Sequence, residues 1–443
     1  MKHALRIPAN TDHSEMTRAA IDALPAWQQA ILRSQKDSLI SRYCGYVDMA
    51  ACAWPSSADS KEALPWQYVE NGRQYHYWML ESRKRGAHLC QRHEVSIEDN
   101  YRFFVRGSEY FFLAIKKALR KNDVVSAAKY AGSFIHANQD PATRIHCLED
   151  WHGLHWLALD SLFYQGNELD PVNSAVRLWL QIPRKKGLRI NDYSPQLLGM
   201  SPAEAAFQLY RRHIQVMLYS RGQVLKMIDF ARKNQWKQAS ELLQTTEKEG
   251  AKISADILFT AFCVAYNRFD ANQARVLETV DISAFSPLDA PALMSAPYAF
   301  SPVARGYALT PDNQKTPLRL RIAAGRGGKI QDVTSGLATG THILGYRLVW
   351  LLPAGVYRFF RCQAGLHPDF AVPGTNISLR VKFRGRTKWR KKYSRTDCAE
   401  EIGFAVQQGG LLELVLDDAF EAGRPIRSEN SSQIVWGNLD LRK

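Results

Sequence analysis

Cysteine is sparse and scattered in this chain. Its seven residues (Cys44, Cys52, Cys90, Cys147, Cys263, Cys362 and Cys398) are odd in number, and no two form a C-x-x-C pair. That excludes a zinc ribbon and a thioredoxin-type motif, and leaves buried free thiols in a reducing compartment as the plain reading. Long apolar runs are missing as well: no stretch approaches the roughly 20 residues of a transmembrane helix. The opening MKHALRIPANTDHSE has no apolar core of a secretory leader. The chain as given therefore reads as cytoplasmic by default, and as secreted if a leader was removed. No internal repeat and no low-complexity tract is found. Negative charge is in deficit: 43 Asp and Glu stand against 58 Lys and Arg, a net charge of +15. A surface of that sign concentrates polyanions such as nucleic acid or anionic lipid.

What is present is ample core material. Of 443 residues, 46% are apolar and 23% charged, the composition of a globular chain of two or three domains. From about residue 14 to 270 the apolar period is helical. SEMTRAAIDALPAWQQAIL opens with Ser14, and two amphipathic helices are expected on either side of Asn122 and Asp123. Ser201, Pro202 and Glu204 spell an N-cap, a first-turn proline and a capping box. The texture changes after Asp281, where proline, serine and alanine crowd a stretch without helical period. Strict alternation follows. Leu379, Val381 and Phe383 face one way with Arg380, Lys382 and Arg384 opposite, and Leu412, Leu414 and Leu416 repeat the pattern. Short strands at this spacing predict an antiparallel sandwich.

Metal-capable side chains crowd one region. His136 and Asp140 are four apart, on one face of a helix and one turn from each other. Pro141 then ends or kinks that helix, so that His146 can return toward the same point. His152, His155 and Asp160 follow closely. Zinc takes three or four such groups converging on a point. Singly, a histidine beside aromatics such as His76 in QYHYWM is a satisfied core residue. His88, His93 and His213 stand in polar or helix-surface settings and are expected to be solvated.

With these motifs in order, the first 160 or so residues resemble the zinc-dependent phospholipase C/P1 nuclease family. DHSEMTRAAIDALPAW matches its histidine ahead of a helix ending in Leu-Pro, RYCGYVDMA its Y-C-x-Y-x-D segment, QYHYWM its aromatic-flanked histidine, and FIHANQDPATRIH its H-x3-D-x5-H motif. The resemblance implies an all-α fold binding one to three zinc ions, with two the expected number. Asp48, His76 and His136 would hold one ion, Asp140 would bridge to a second held by His13, and His146 would serve a third with His152 and His155 available. Asp48 and Asp140 would be the catalytic carboxylates, and a metal-bound hydroxide would cleave a phosphodiester in phospholipid or nucleic acid. Two departures stand out. No tryptophan precedes the first helix to lend its amino group, and the family's final H-x3-E pair is absent after His146.

The stretches SGLATGTHILGYRL, LPAGVYRFFRCQAGLH, VKFRGRTKW and SQIVWGNLDL resemble a second family, the NPCBM ("novel putative carbohydrate-binding module") β-sandwich. Tyr357, Phe359 and Trp436 fall within its alternating strands and are expected in the core. Trp389 is the better platform for a sugar. RVKFRGRTKWRKKYSR holds nine basic residues in sixteen, and Arg384, Arg386 and Lys388, with Trp389 and Tyr393 interleaved, could track a phosphate backbone and stack on bases. A solvated hairpin is the bland alternative.

The expected architecture is thus multidomain α plus β: an all-α zinc-hydrolase-like domain over 1–280, with its metal motifs within 13–160 and further helices at 201–270; a linker over 281–300; and an antiparallel, jelly-roll-like β-sandwich over 301–443. The expected function is a zinc-dependent phosphoesterase directed to a carbohydrate or polyanion by its second domain. The competing expectation is a non-catalytic carbohydrate- or polyanion-binding protein with a structural zinc.

Overall fold

A computed structural model of the chain describes residues 12–51, 58–71, 73–75, 97–143, 181–184, 186–285, 287, 303–310, 314–323, 328–340, 345–371, 376–417 and 432–443. The chain divides into two units, Met1–Ala274 and Arg275–Lys443. The first is helical and the second is built of antiparallel strands.

In the helical unit α1 spans Asp12–Asp22, α2 Ala26–Leu32, α3 Lys36–Ser41, α4 Tyr46–Ala51, α5 Ala58–Ala63, α6 Ile97–Arg120, α7 Val124–Gln139, α8 Pro202–Arg232 and α9 Trp236–Tyr266, and a short hairpin pairs β1 (Val69–Glu70) with β2 (Arg73–Gln74). The helical stretch read from Ser14 starts at Asp12, so that His13 lies within α1 and not ahead of it. It falls into two helices because Pro25 has no N–H to continue the first and becomes the N-cap of α2. The turn between α6 and α7 reverses at Asn122, whose φ of 58° is left-handed, and Asp123 caps α7 by accepting from Ser126 N at 2.9 Å. Ser201 caps α8 by accepting from Glu204 N at 3.3 Å, while the Glu204 carboxylate reaches back to Met200 N at 3.0 Å.

The core gathers on α7. Phe134 stacks on Phe111 at 5.0 Å and meets Phe112 edge-on at 5.0 Å. Ala131 through Gln139 are buried without a break. A helix buried on every side is apolar throughout, yet this one carries His136, Asn138 and Gln139. Each must therefore find a partner inside the protein.

The second unit contains β3 (Thr279–Asp281), β4 (Ala304–Arg305), β5 (Ala308–Leu309), β6 (Lys315–Thr316), β7 (Arg319–Ile322), β8 (Lys329–Asp332), β9 (Gly336–Gly340), β10 (Tyr346–Leu352), β11 (Phe359–Leu366), β12 (Asn376–Phe383), β13 (Arg386–Ser394), β14 (Glu400–Ala405), β15 (Gly410–Leu416) and β16 (Gln433–Arg442). One sheet has the order β10-β15-β12-β13, and the other β14-β11-β16-β9-β4, with β3 also on β16. Leu379, Val381, Leu412 and Leu414 are fully buried, as their alternation requires. Side chains tie sheet to sheet: Tyr393 Oη donates to Ala364 O at 2.6 Å, Trp436 Nε1 to Tyr346 Oη at 3.1 Å, Thr339 Oγ1 bonds the same Tyr346 hydroxyl, and Phe383 meets Phe404 at 5.9 Å.

Two aromatic expectations need correction here. Tyr357 and Trp436 lie in the core, but Phe359 is 41% exposed. It begins β11 on the outward phase of the pleat and lies across Gly403 of β14, which has no side chain to displace it. Tyr393, expected to stack on bases, is fully buried with its hydroxyl spent on Ala364. The described cysteines are free thiols, with Cys44, Cys263 and Cys362 buried and Cys398 half-buried.

Candidate metal centre

The polar end of α7 meets α1, α4 and the turn Tyr43–Gly45. Gly132 permits the approach: a Cβ there would lie 2.4 Å from the backbone carbonyl of Tyr43. One residue on, the carbonyl of Cys44 accepts a hydrogen bond from His136 Nδ1. A carbonyl only accepts, so the proton is on Nδ1 and Nε2 faces away from the turn. That nitrogen lies 3.4 Å from Asp140 Oδ1 and 3.4 Å from Asp48 Oδ1. From α1, His13 stacks on His136 with ring centres 3.8 Å apart and brings its Nε2 to 3.5 Å from the same Asp140 oxygen. Asp140 is wholly buried, while the Asp48 side chain is 44% exposed and forms the open rim.

The arrangement suits a cation. Ligand atoms of His13, His136 and Asp140 all lie within 4.8 Å of one another. Two ligands at about 2.0–2.1 Å from a tetrahedral zinc are roughly 3.3 Å apart, and the separations of 3.4 and 3.5 Å here are of that size. They exceed the roughly 2.7–2.9 Å of a direct charge-assisted hydrogen bond. Two imidazoles, one buried carboxylate and a second carboxylate at the rim make a zinc donor set.

Electrostatics divide the two histidines. Burial and the neighbouring His136 push the pKa of His13 down to about 4, against the pull of Asp140 and Asp48. Burial alone would depress His136 also, but Asp48 and Asp140 outweigh it and hold its pKa up at about 9. Without metal, the pair carries one proton charge at neutral pH. His13 is already in ligating form, and His136 reaches it by losing a proton.

The structure brings together His13, Asp48, His136 and Asp140. His76, His146, His152, His155 and Asp160 lie outside the described residues. His213, expected to be solvated, is fully buried on α8. Its Nδ1 donates to Asn138 Oδ1 at 2.9 Å, and burial drives its pKa down to about 3. The surface period of α8 hid it, because Phe104 of α6 covers its ring at 4.9 Å. Gln139 also escaped sequence reading, and the run HANQD, polar within an otherwise apolar helix, was its signal. A cleft of about 510 Å³ lined by Trp27, Tyr193, Phe259 and Arg268 contains none of the four clustered residues.

On the second unit, Arg384 and Gly385 have φ of 53° and 75° and make the tight turn of the β12–β13 hairpin. Arg384, Arg386 and Lys388 line a cleft of about 430 Å³ with Phe383, Gln407 and Gln408. Arg384 donates to Gln408 Oε1. Arg390 pairs with Asp417 at 3.3 Å and Lys391 with Glu400 at 2.8 Å. Trp389 is half-buried, and its Nε1 donates to Glu400 Oε2 at 2.8 Å. Strand β13 is a sheet edge, where lysines also guard against edge-to-edge pairing.

No protein-family model and no curated protein matches the chain. Among solved structures, the chain is similar to alpha toxin from Clostridium absonum at 11% identity, covering 96% of this chain and 84% of that one with a TM-score of 0.31. It is also similar to CBM51 from Clostridium perfringens GH95, solved with methyl-galactose, at 16% identity, 37% of this chain and 99% of that one, with a TM-score of 0.28. The CBM51-2 and INT domains of Clostridium perfringens ZmpB match at 16% identity and a TM-score of 0.28, over 37% of this chain and 31% of theirs.

Proposed function

We propose that the helical unit is a zinc-dependent phosphodiester hydrolase and that the β unit directs it to a polyanion. The observation that carries the first part is the convergence of His13 Nε2, His136 Nε2 and Asp140 Oδ1 beside Asp48. His13, His136 and Asp140 would hold the ion, with Asp48 as a further ligand from the rim. Zinc bound there supplies a water of lowered pKa and positive charge to offset a phosphodiester. Asp140 compensates the cation in a water-poor setting. Asp48, open to solvent, can accept a proton from an attacking water and pass it out. The cleft of Arg384, Arg386 and Lys388 would contact phosphate or sulfate groups of the target.

The test pairs metal content with turnover. Protein purified without added metal is analysed for zinc, then assayed on bis(p-nitrophenyl) phosphate, choline phospholipid and single-stranded DNA, alongside Asp140→Asn. The expected result is at least one zinc per chain, and hydrolysis of one substrate that falls at least about 100-fold in the variant. Zinc without hydrolysis of any of the three would move the function to a non-catalytic binding protein with a structural ion. No zinc would overturn the metal reading.

A further inference from the structure

The two histidines present Nε2 for different reasons. A neutral imidazole carries its lone pair on one nitrogen only, and the hydrogen bond made by the other selects which. For His136 the selector is the Cys44 backbone carbonyl. For His13 it is a side chain, Gln139, which is fully buried immediately before Asp140.

Ser254 on α9 determines which way the Gln139 carboxamide points. The Ser254 hydroxyl donates to Gly250 O at 2.8 Å. Its oxygen therefore accepts, and the partner 2.9 Å away is Gln139 Nε2. The same nitrogen donates to Thr17 Oγ1 at 3.1 Å. With the nitrogen committed to Thr17 and Ser254, Oε1 faces His13, 2.9 Å from Nδ1. An amide oxygen only accepts. The His13 proton is thus on Nδ1, and the lone pair on Nε2 lies toward Asp140 at 3.5 Å. His13 and Thr17 are four apart on α1, so Gln139 grips two successive turns of that helix.

We propose that Gln139 is the positioning residue of the site: by joining α1, α7 and α9 it locks His13 as the Nδ1–H form with Nε2 toward Asp140, and so sets the affinity for zinc. This rests on the zinc reading of His13, His136 and Asp140. Groups that hold a ligating histidine by its far nitrogen are typically worth roughly 10–100-fold in metal affinity. Here the holder is a side chain that can be exchanged without touching a ligand.

The experiment uses the full chain and zinc alone. Zinc affinity is measured by competition with a chromogenic chelator for wild type, Gln139→Met, His13→Ala and the double variant. In parallel, long-range proton–nitrogen spectra of metal-free protein report the His13 tautomer. Gln139→Met is expected to weaken zinc roughly 10–100-fold, to allow the Nε2–H form of His13, and to have no further effect once His13 is alanine. Gln139→Glu, which keeps an acceptor, is expected to recover most of the affinity. A merely structural Gln139 would lower thermal stability with zinc affinity unchanged, or cost the same affinity with and without His13, and either result overturns the proposal. Should Gln139→Met not fold, Ser254→Ala and Thr17→Val loosen the carboxamide and are expected to shift the tautomer in the same direction; an unmoved tautomer in both overturns the proposal. A wild type that binds no zinc removes the zinc reading. The tautomer spectrum still decides on Gln139, because a mixed or Nε2–H His13 in metal-free wild type contradicts the locking.

Discussion

His136 and His13 are alike in type and opposite in titration, and the difference has a measurable sign. Zinc takes the neutral ring. His13, held down to about 4, gives up nothing on binding at neutral pH, whereas His136, held up at about 9, must release a proton. Apparent zinc affinity should therefore rise about tenfold per pH unit through neutrality and level off near pH 9. Calorimetric titration in buffers of different ionisation enthalpy should find about one proton released at pH 7. Two would mean that His13 is charged as well, and none that His136 is neutral. In metal-free protein the folded pKa of His136 lies above its unfolded value. Its stabilising contribution is full below about pH 6.5 and is lost as pH rises through about 9. Residues are also where sequence reading was weakest. The four-residue spacing of His136 and Asp140 puts both on one helix face, but it says nothing of Cys44, Gln139 or the tautomers they select. Phe359, Tyr393 and His213 show the same limit. Period assigns a face, and only the neighbours on that face decide whether it is wet.

Elements were more legible, because their signals are local. The alternation of Leu379, Val381 and Phe383 fixes the pleat of β12, and Ser201 with Glu204 marks the start of α8, save that the glutamate takes the N–H of Met200. What no local signal carries is how closely two elements must pass. Gly132 on α7 sits against the backbone of Tyr43 with no room for a Cβ. Gly132→Ala should force α7 from the turn that holds His136, destabilising the chain by about 1–3 kcal/mol despite alanine's better helix propensity. Urea unfolding measures the loss. A stabilised variant would mean that the turn moves freely and that the Cys44 carbonyl is no fixed anchor. Gly132→Ala should also weaken zinc binding, whereas a glycine-to-alanine change at Gly222, where a Cβ meets nothing, should not.

For the whole molecule the governing quantity is charge. A net +15 attracts any polyanion, so attraction alone does not identify the basic cleft as a site. The salt dependence separates the two. If Arg384, Arg386 and Lys388 each neutralise a phosphate, changing all three to glutamine should reduce the slope of log affinity against log salt on single-stranded DNA by about 2. An unchanged slope would assign the attraction to the general field and leave the hairpin as a guarded sheet edge. The helical unit has its own global property, which follows from chain separation. The bond from His13 to Gln139 spans 126 residues, that from Gln139 to Ser254 spans 115, and that from His136 to Cys44 spans 92. Each closes a long loop and repays its entropy only once the helices are packed. A partly folded chain can therefore own α7 with His136 and Asp140 in place and still lack the partners that orient them. The ring orientations of His13 and His136 are therefore expected to be lost together with the packing of the helices, before α7 itself unravels.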